Sequence, residues 1–574
     1  MNGLGAKNVE RKSIKRHLPL YFLLLAVGMF HVCTMPKFFY RGDNFAARAE
    51  AANLLNTGKL GIPFSQKTRL ADLPRQRGQY FYENDAKQEF HSKYGIGYTL
   101  LYLVPLWAEK MYSGKLDLLC VTKSQLLFLN LYNVIFTLLA TAYLYRIVSV
   151  YTSKTWQRIG FILISYYTTF LWHYLRTPST EVFQLLPFLA FYDHLARFLR
   201  ESRLTLPKET RVWMHMTLAV CFAGILLSMK PFFAPLFVVV GVLGAIMPGW
   251  TGFRNVFKGA FRNVLKYRYS YLRYGILPCA VIVASLLAVN HYKFGSIFVT
   301  GYEQRVKEEG KPYFVTGYKQ RVKEGGKPYA TDTGGGSPPK TAPKGEQTKA
   351  IDRFGMNPLA ALHGFFLARG NANAFVHYPV FLFALFGMKR FAKRFPFDLC
   401  LILSLFGLIT LGLASFSGWE GGSCYGPRYL LLVLVVGSLP FLEVMDRMVS
   451  FKPLMKWCAI GGVACVLGWS LAMQVYMNSL EYFSFYGLRA FWTQFNQERV
   501  DDYFNNCFHR GLIHRDYILY IQKGKPYFPL EAVKRDLSPR NRDPLIHLTQ
   551  RHRLRRMVEP NYFFCKSRQD VDSH

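Results

Sequence analysis

The sequence predicts an all-α polytopic membrane protein of about eleven transmembrane helices, with a large first outer loop carrying interfacial helices and a small mixed outer C-terminal domain. Three observations carry that expectation. Hydrophobic residues make up 51% of the chain, which alone would fit a soluble protein, but here they gather into long runs. Short basic stretches separate many of the runs and fall on one side when the helices alternate. Nearly all the remaining mass falls on the other side.

A run of about 20 apolar residues spans a bilayer as a helix. Eleven such runs occupy 18–35, 124–146, 157–173, 182–198, 213–229, 231–249, 274–290, 374–388, 397–415, 429–446 and 457–476. Residues 1–17 hold Lys7, Arg11, Lys12, Lys15 and Arg16 and read as a cytoplasmic N-terminus. The first run lacks a small-x-small cleavage site and continues into a charged loop, so it reads as a span rather than a cleaved signal. Basic clusters recur at 197–211, 254–273, 389–394 and 447–456. Short basic loops stay cytoplasmic, which puts the N-terminus inside and the C-terminus outside.

The membrane domain is therefore 18–476, and its outer mass lies in two loops. The first, 36–123, contains Gly95–Ala108, which is apolar but only fourteen residues long and holds Pro105. If it spanned, every later basic loop would flip outward, so it is expected to be interfacial or re-entrant. The second loop, 291–373, holds a tandem repeat over 299–330, where Val299–Phe314 and Val315–Ala330 match at thirteen of sixteen positions. Two copies are too few for a solenoid, and a duplication tolerated in a flexible loop accounts for them. The tail, 477–574, has no spanning run and alternates aromatic with polar residues around turn signals such as Gly524-Lys525-Pro526.

The net charge of +36 does not imply nucleic acid, because no nucleic-acid motif is present and the charge is spread over many loops. Topology and anionic headgroups account for much of it. Of ten cysteines, Cys33, Cys221, Cys279, Cys400, Cys458 and Cys465 lie in apolar runs and read as small core residues. Cys120, Cys424, Cys507 and Cys565 face outside, and the last two share the tail and could pair in an oxidising compartment. No metal motif is legible, so the cofactor is unknown, with a divalent metal left open. No Asn-x-Ser/Thr sequon occurs, which favours a bacterial inner membrane with its active side facing the periplasm.

Four constellations on the outer side can carry chemistry. Asp43 follows the first span in Arg41-Gly42-Asp43-Asn44, a carboxylate at the membrane edge that suits either a helix N-cap or a general base. His91-Ser92-Lys93-Tyr94-Gly95-Ile96-Gly97 opens the interfacial segment, where Lys93 can hold a phosphate or snorkel to headgroups. Arg176-Thr177-Pro178-Ser179-Thr180-Glu181 lies between the third and fourth spans, and Glu181 also suits the helix dipole. Ser417 to Tyr429 is Gly-rich and ends in Arg428, which enters a span. A guanidinium there is costly unless paired with an anion, and its planar fork suits phosphate. The structural alternative is a pair with Glu420 or Glu181.

On these residues the chain resembles the GT-C class of membrane-embedded glycosyltransferases, in particular bacterial members related to protein O-mannosyltransferases and aminoarabinose transferases. The resemblance rests on Gly42-Asp43-Asn44, Lys93-Tyr94-Gly95-Ile96-Gly97, Thr180-Glu181 and Trp419-x-Gly-Gly-x-x-Tyr-Gly-Pro-Arg-Tyr429, and covers about 15–475. It implies a catalytic Asp in the first outer loop, mapping onto Asp43, a polyprenyl-phosphate sugar donor and inverting transfer. Relatives often carry Asp-Glu where this chain has Asp43-Asn44, so the second carboxylate is missing. The expected partners are the lipid-linked sugar, a glycan, lipid or protein acceptor, and membrane lipids.

The chemistry agrees with that resemblance. Asp43 would take the acceptor proton, while Arg428, Lys93 and Arg369, with Glu181 and Arg176 close by, would hold the phosphate. All lie on the expected outer side. A lipid or ion transporter would instead bury charges in mid-helix and repeat its helices, and charges here sit near helix ends. An envelope scaffold would depend on the tail.

Overall fold

The computed structural model describes residues 3–35, 43–66, 81–114, 116–118, 123–176, 179–204, 210–246, 264–297, 306–308, 311–313, 362, 365–366, 373–414 and 427–485. Among these the chain is mostly helical. The first helix, α1 (Gly3–Cys33), holds the first apolar run. The segment expected as the first outer loop forms α2 (Asp43–Thr57), β1 (Ile62–Pro63), β2 (Phe81–Asn84), β3 (Glu89–Ser92) and α3 (Ile96–Ser113). The helices of the apolar region follow as α4 (Lys123–Tyr151), α5 (Thr155–Tyr167), α6 (Leu171–Arg176), α7 (Thr180–Leu204), α8 (Thr210–Met229) and α9 (Pro235–Ile246). Next come α10 (Leu277–Phe294), α11 (Pro379–Arg394), α12 (Pro396–Ala414), α13 (Leu431–Gly437), α14 (Phe441–Ser450) and α15 (Pro453–Phe485).

Helix occupies every one of the eleven apolar runs, but not always as one rod. Among the described residues five helical segments are long and apolar enough to cross a membrane: Ser124–Tyr151, Thr210–Met229, Arg268–Phe294, Pro396–Ala414 and Pro453–Ala472. Arg428–Gly437 and Phe441–Ser450 make a sixth if counted together across their 45° bend, which falls at Pro440, where a ring replaces an N–H. The run at 157–173 is broken between α5 and α6. Shorter apolar helices are His17–Cys33 and Pro231–Ile246. The Arg268–Phe294 segment buries only 6% of its apolar window, and Pro453–Ala472 only 11%. Faces that apolar and that bare are stable against hydrocarbon, not water.

Several boundaries move. The apolar segment expected over Gly95–Ala108 is α3, which runs on to Ser113 with Pro105 inside it. One face of α3 buries Tyr98, Tyr102, Leu106 and Glu109; the opposite face exposes Leu100, Val104, Trp107 and Met111. The segment expected as a loop from residue 291 starts as helix, because α10 continues to Phe294 and ends in a left-handed glycine at φ 74°. The α15 helix runs past residue 476 to Phe485, so the start of the expected tail is helical; the rest of the tail lies outside the described residues. Within the first repeat copy Val306–Glu308 pairs antiparallel with Lys311–Tyr313, while the second copy lies outside the described residues.

The cysteine reading needs correcting. Cys33, Cys458 and Cys465 are exposed and Cys221, Cys279 and Cys400 half-buried, and all six are free thiols. Apolar helices in lipid turn apolar side chains outward, so an apolar run does not predict burial inside the protein. Cys120, Cys424, Cys507 and Cys565 lie outside the described residues.

Charge is not confined to helix ends, as the sequence reading had it. Asp193 sits well inside α7, buried, and pairs with Arg146 of α4 and Arg197 one turn on. Asp398 opens α12 beside Arg200, 3.4 Å away, and accepts from the Tyr151 hydroxyl at 2.9 Å. Glu443 of α14 takes Arg390 and Arg394 at 2.9 and 2.7 Å. The basic members come from the stretches expected to face the cytoplasm. This knot therefore pins one pole of the bundle, and a second set of charges occupies the other.

Candidate functional site

The second pole is built around α2. Nine consecutive residues, Phe45 to Asn53, are buried. Five of them are alanines, small enough for neighbours to close on every side of the helix. A helix enclosed all round must pair whatever charge it carries. Arg48 donates to the Gln125 amide oxygen at 3.0 Å and to the carbonyls of Asp117 and Leu118. Asn53 ties down the exit loop through the carbonyls of Lys59 and Gly61. Asp43 is the first residue of this helix, and its side chain lies outside the described residues.

Glu50, two turns after Asp43 on the same face, is the most heavily bonded carboxylate described. One oxygen accepts from the Lys293 ammonium at 3.0 Å and the Thr99 hydroxyl at 2.7 Å. The other takes the Ser92 amide and lies 3.3 Å from His91 Nδ1. Burial pushes the Glu50 carboxyl up, but the Lys293 charge and the contacts from His91 and Thr99 outweigh it and hold it below its ordinary value of 4.5. Lys293 also donates to the Tyr94 carbonyl at 3.2 Å.

The sheet explains how a lysine 243 residues away reaches α2. Three short strands lie in the order β1-β3-β2, all antiparallel, with Ile62 opposite Phe90 and Phe81 opposite Ser92. The β2–β3 hairpin caps the end of α10. Tyr82, Asn84 and Lys87 donate to the carbonyls of Phe294, Lys293 and Tyr292 at 3.1, 3.1 and 2.8 Å. These are the carbonyls that a helix C-terminus leaves unsatisfied.

Lys93, in the turn after β3, is half-buried. The glycines beside it have a packing role. A Cβ on Gly95 would collide with the carbonyl oxygen of Ser228, and one on Gly97 with the Ser228 hydroxyl. The start of α3 is thus pressed against the end of α8, one residue before Lys230. A second tie joins α3 to α7, where Gln184 donates to the Tyr98 hydroxyl.

Lys230 and the two residues expected in the site, Glu181 and Arg428, meet at the next step. Glu181, buried at the start of α7, has its Oε1 3.8 Å from Lys230 Nζ and 3.8 Å from Arg428 Nη1. Its Oε2 accepts from the Thr180 hydroxyl at 2.9 Å. Arg428 opens a 3₁₀ turn that leads into α13, stacks 4.7 Å over Tyr429 and donates to its hydroxyl at 2.9 Å. Of the two structural partners weighed for Arg428, Glu181 is present, and Glu420 lies outside the described residues. Arg176 is buried at the end of α6 and acts electrostatically on His31 of α1. Arg369 lies outside the described residues.

Sequence reasoning missed Lys230, Lys293 and Glu50. A signal for the two lysines was available. Both interrupt or end apolar runs on the side where cations are not needed for topology. Glu50 could have been found from the alanines around it, since a helix apolar on all faces must bury and pair its charges. Among the described residues no three His, Cys, Asp or Glu side chains converge as metal ligands.

No family model matches this chain, and no curated protein matches it. Two solved structures do, both of the Archaeoglobus fulgidus oligosaccharyltransferase. One is the archaeal enzyme AglB in complex with an inhibitory peptide and a dolichol-phosphate, at 12% identity and a TM-score of 0.45 over 81% of this chain. The other is the apo form, at 12% identity and a TM-score of 0.45 over 82% of this chain. The matched part spans 56% of the length of either oligosaccharyltransferase chain.

Proposed function

We propose that the chain is a membrane glycosyltransferase of GT-C type. It moves a sugar from a polyprenyl-phosphate donor to an acceptor hydroxyl on the outer face of the membrane. The observation that carries the reading is the meeting of Arg428, Lys230 and Glu181 beside the Lys93–Gly97 motif. Sequence distance had separated these groups, and the reaction needs them together. Asp43 heads the helix that packs against the same motif.

In the mechanism that follows, the acceptor oxygen attacks the anomeric carbon from the face opposite the phosphate, which inverts the centre. Asp43 takes the hydroxyl proton as the new C–O bond forms. The bond from the anomeric carbon to the phosphate oxygen breaks, and its electron pair stays on that oxygen. The phosphate passes from a singly charged diester to a doubly charged monoester. Arg428 and Lys93, with Arg369 and Arg176 as further cations, stabilise that growing charge without an acid catalyst. Glu181 holds Arg428 in place. The exposed apolar face of α3 suits an interfacial helix that keeps the donor's lipid at the membrane edge.

The test is transfer by the purified protein in lipid, offered a panel of polyprenyl-phosphate sugars with glycan, lipid and peptide acceptors. Release of polyprenyl phosphate with at least one donor is expected. No turnover with any donor and acceptor, in protein that is folded, would count against the reading.

A further inference from the structure

We infer that the exposed cations Lys266, Arg268 and Arg273, at the head of the segment that ends in α10, form a site for the headgroup of an anionic phospholipid. The site lies at the opposite end of that segment from Lys293 and owes nothing to the glycosyltransferase reading.

Residues 210–302 contain no Asp or Glu, while six Lys and Arg fall within 254–273. Of those six, Lys266, Arg268 and Arg273 are described, and all three are exposed. None of the three makes an ion pair among the described residues. Each instead lies over the tyrosine that follows it, 5.2, 5.0 and 5.3 Å from the centres of the Tyr267, Tyr269 and Tyr274 rings. A carboxylate partner would neutralise such a cation; a tyrosine face orients it and leaves its charge available.

The rings themselves are anchored. Trp213 of α8 packs against Tyr267, Tyr271 and Tyr274, with ring centroids 6.2, 5.0 and 6.3 Å apart. The Tyr271 hydroxyl donates to the Gly244 carbonyl at 2.6 Å, which ties the platform to α9. Leu272–Ile276 is a π-turn, a wide turn frequent at functional sites, and the Thr217 hydroxyl donates to the Tyr274 carbonyl within it at 2.9 Å.

Past the cations the outward face turns apolar. Leu272, Ile276, Leu277 and Val281 are each more than half exposed. Cations at one end of a bare apolar face match the plan of an anionic phospholipid, with its phosphate at the cations and an acyl chain along the face. A single lysine or arginine at a helix end would only snorkel into the headgroup layer. Three charges set on one anchored aromatic platform, in a stretch of chain without acids, suit a headgroup that stays.

Binding of a fluorescent phosphatidylglycerol to the full-length protein in neutral detergent micelles tests this, with phosphatidylcholine and soluble glycerol phosphate as competitors. Binding should saturate, and unlabelled phosphatidylglycerol should displace the probe far better than either competitor. The triple variant Lys266→Gln, Arg268→Gln, Arg273→Gln should bind at least tenfold more weakly. A control with the same loss of charge elsewhere, Arg447→Gln, Lys452→Gln, Lys456→Gln, should stay within twofold of wild type. Melting temperature is read for each protein, and Arg273→Gln alone serves if the triple variant does not fold, with a threefold loss expected. Affinity of the triple variant within twofold of wild type, or an equal loss in the control, overturns the inference. So does binding that never saturates, or displacement by glycerol phosphate as strong as by phosphatidylglycerol. Each of these outcomes leaves the glycosyltransferase reading untouched.

Discussion

Glu50 shows how a single charge can hold α2 in place. It is enclosed by Lys293, His91, Thr99 and the Ser92 amide, which together join α2 to β3, α3 and α10. Removing one partner of such a pair strands the other charge in a dry site, at a cost of about 3–5 kcal/mol. Glu50→Met should therefore lower the melting temperature strongly, and Glu50→Met with Lys293→Met should recover part of the loss. Its carboxyl is held below 4.5 in the folded protein, so its stabilisation is complete above that pH and fades as the pH falls through the depressed value. Melting curves between neutral pH and pH 3 should lose more stability in wild type than in the double variant. Equal losses would show that Glu50 is not the titrating group that matters.

At the scale of elements, the Lys93–Gly97 motif sets the contact between α3 and α8. A Cβ at Gly95 would meet the Ser228 carbonyl, so the glycine is what lets the two helices touch. Gly95→Ala should force the start of α3 away from α8, an overpacking cost of about 1–3 kcal/mol. It should also reduce transfer, because Lys93 and Lys230 flank that contact. A Gly95→Ala protein with unchanged melting temperature and activity would reject the packing role. Helices were legible in the sequence because apolar runs report them directly. The strands were not, since β1 holds only Ile62 and Pro63 and its pairing is set by a hairpin that docks on α10. The break after Tyr167 was not legible either, since no proline or glycine falls in Thr168–Phe170 to mark it.

For the whole molecule, the charges sort into two poles. Asp193 and Glu181 lie on one helix twelve residues apart, about 18 Å at helical rise. The Asp193 pole gathers arginines from the stretches expected inside, and the Glu181 pole gathers Lys230 and Arg428. Topology reporters fused after Arg273 and after His574 should then read opposite sides of the membrane. The same side for both would overturn the arrangement. The sequence marked Glu181 and Arg428 because a charge entering a span stands out against apolar neighbours. It did not mark their meeting, because 247 positions separate them and neither position carries information about the other.

The central claim is that Asp43 takes the acceptor proton. Its most direct test is the rate of sugar transfer from a polyprenyl-phosphate donor by purified Asp43→Asn protein, with melting temperature measured on the same sample. Asparagine keeps a side-chain oxygen able to cap α2, so the melting temperature should stay near wild type. Loss of a general base should lower the rate by on the order of 10²–10⁴-fold. A folded Asp43→Asn protein that transfers at half the normal rate or faster would contradict the account.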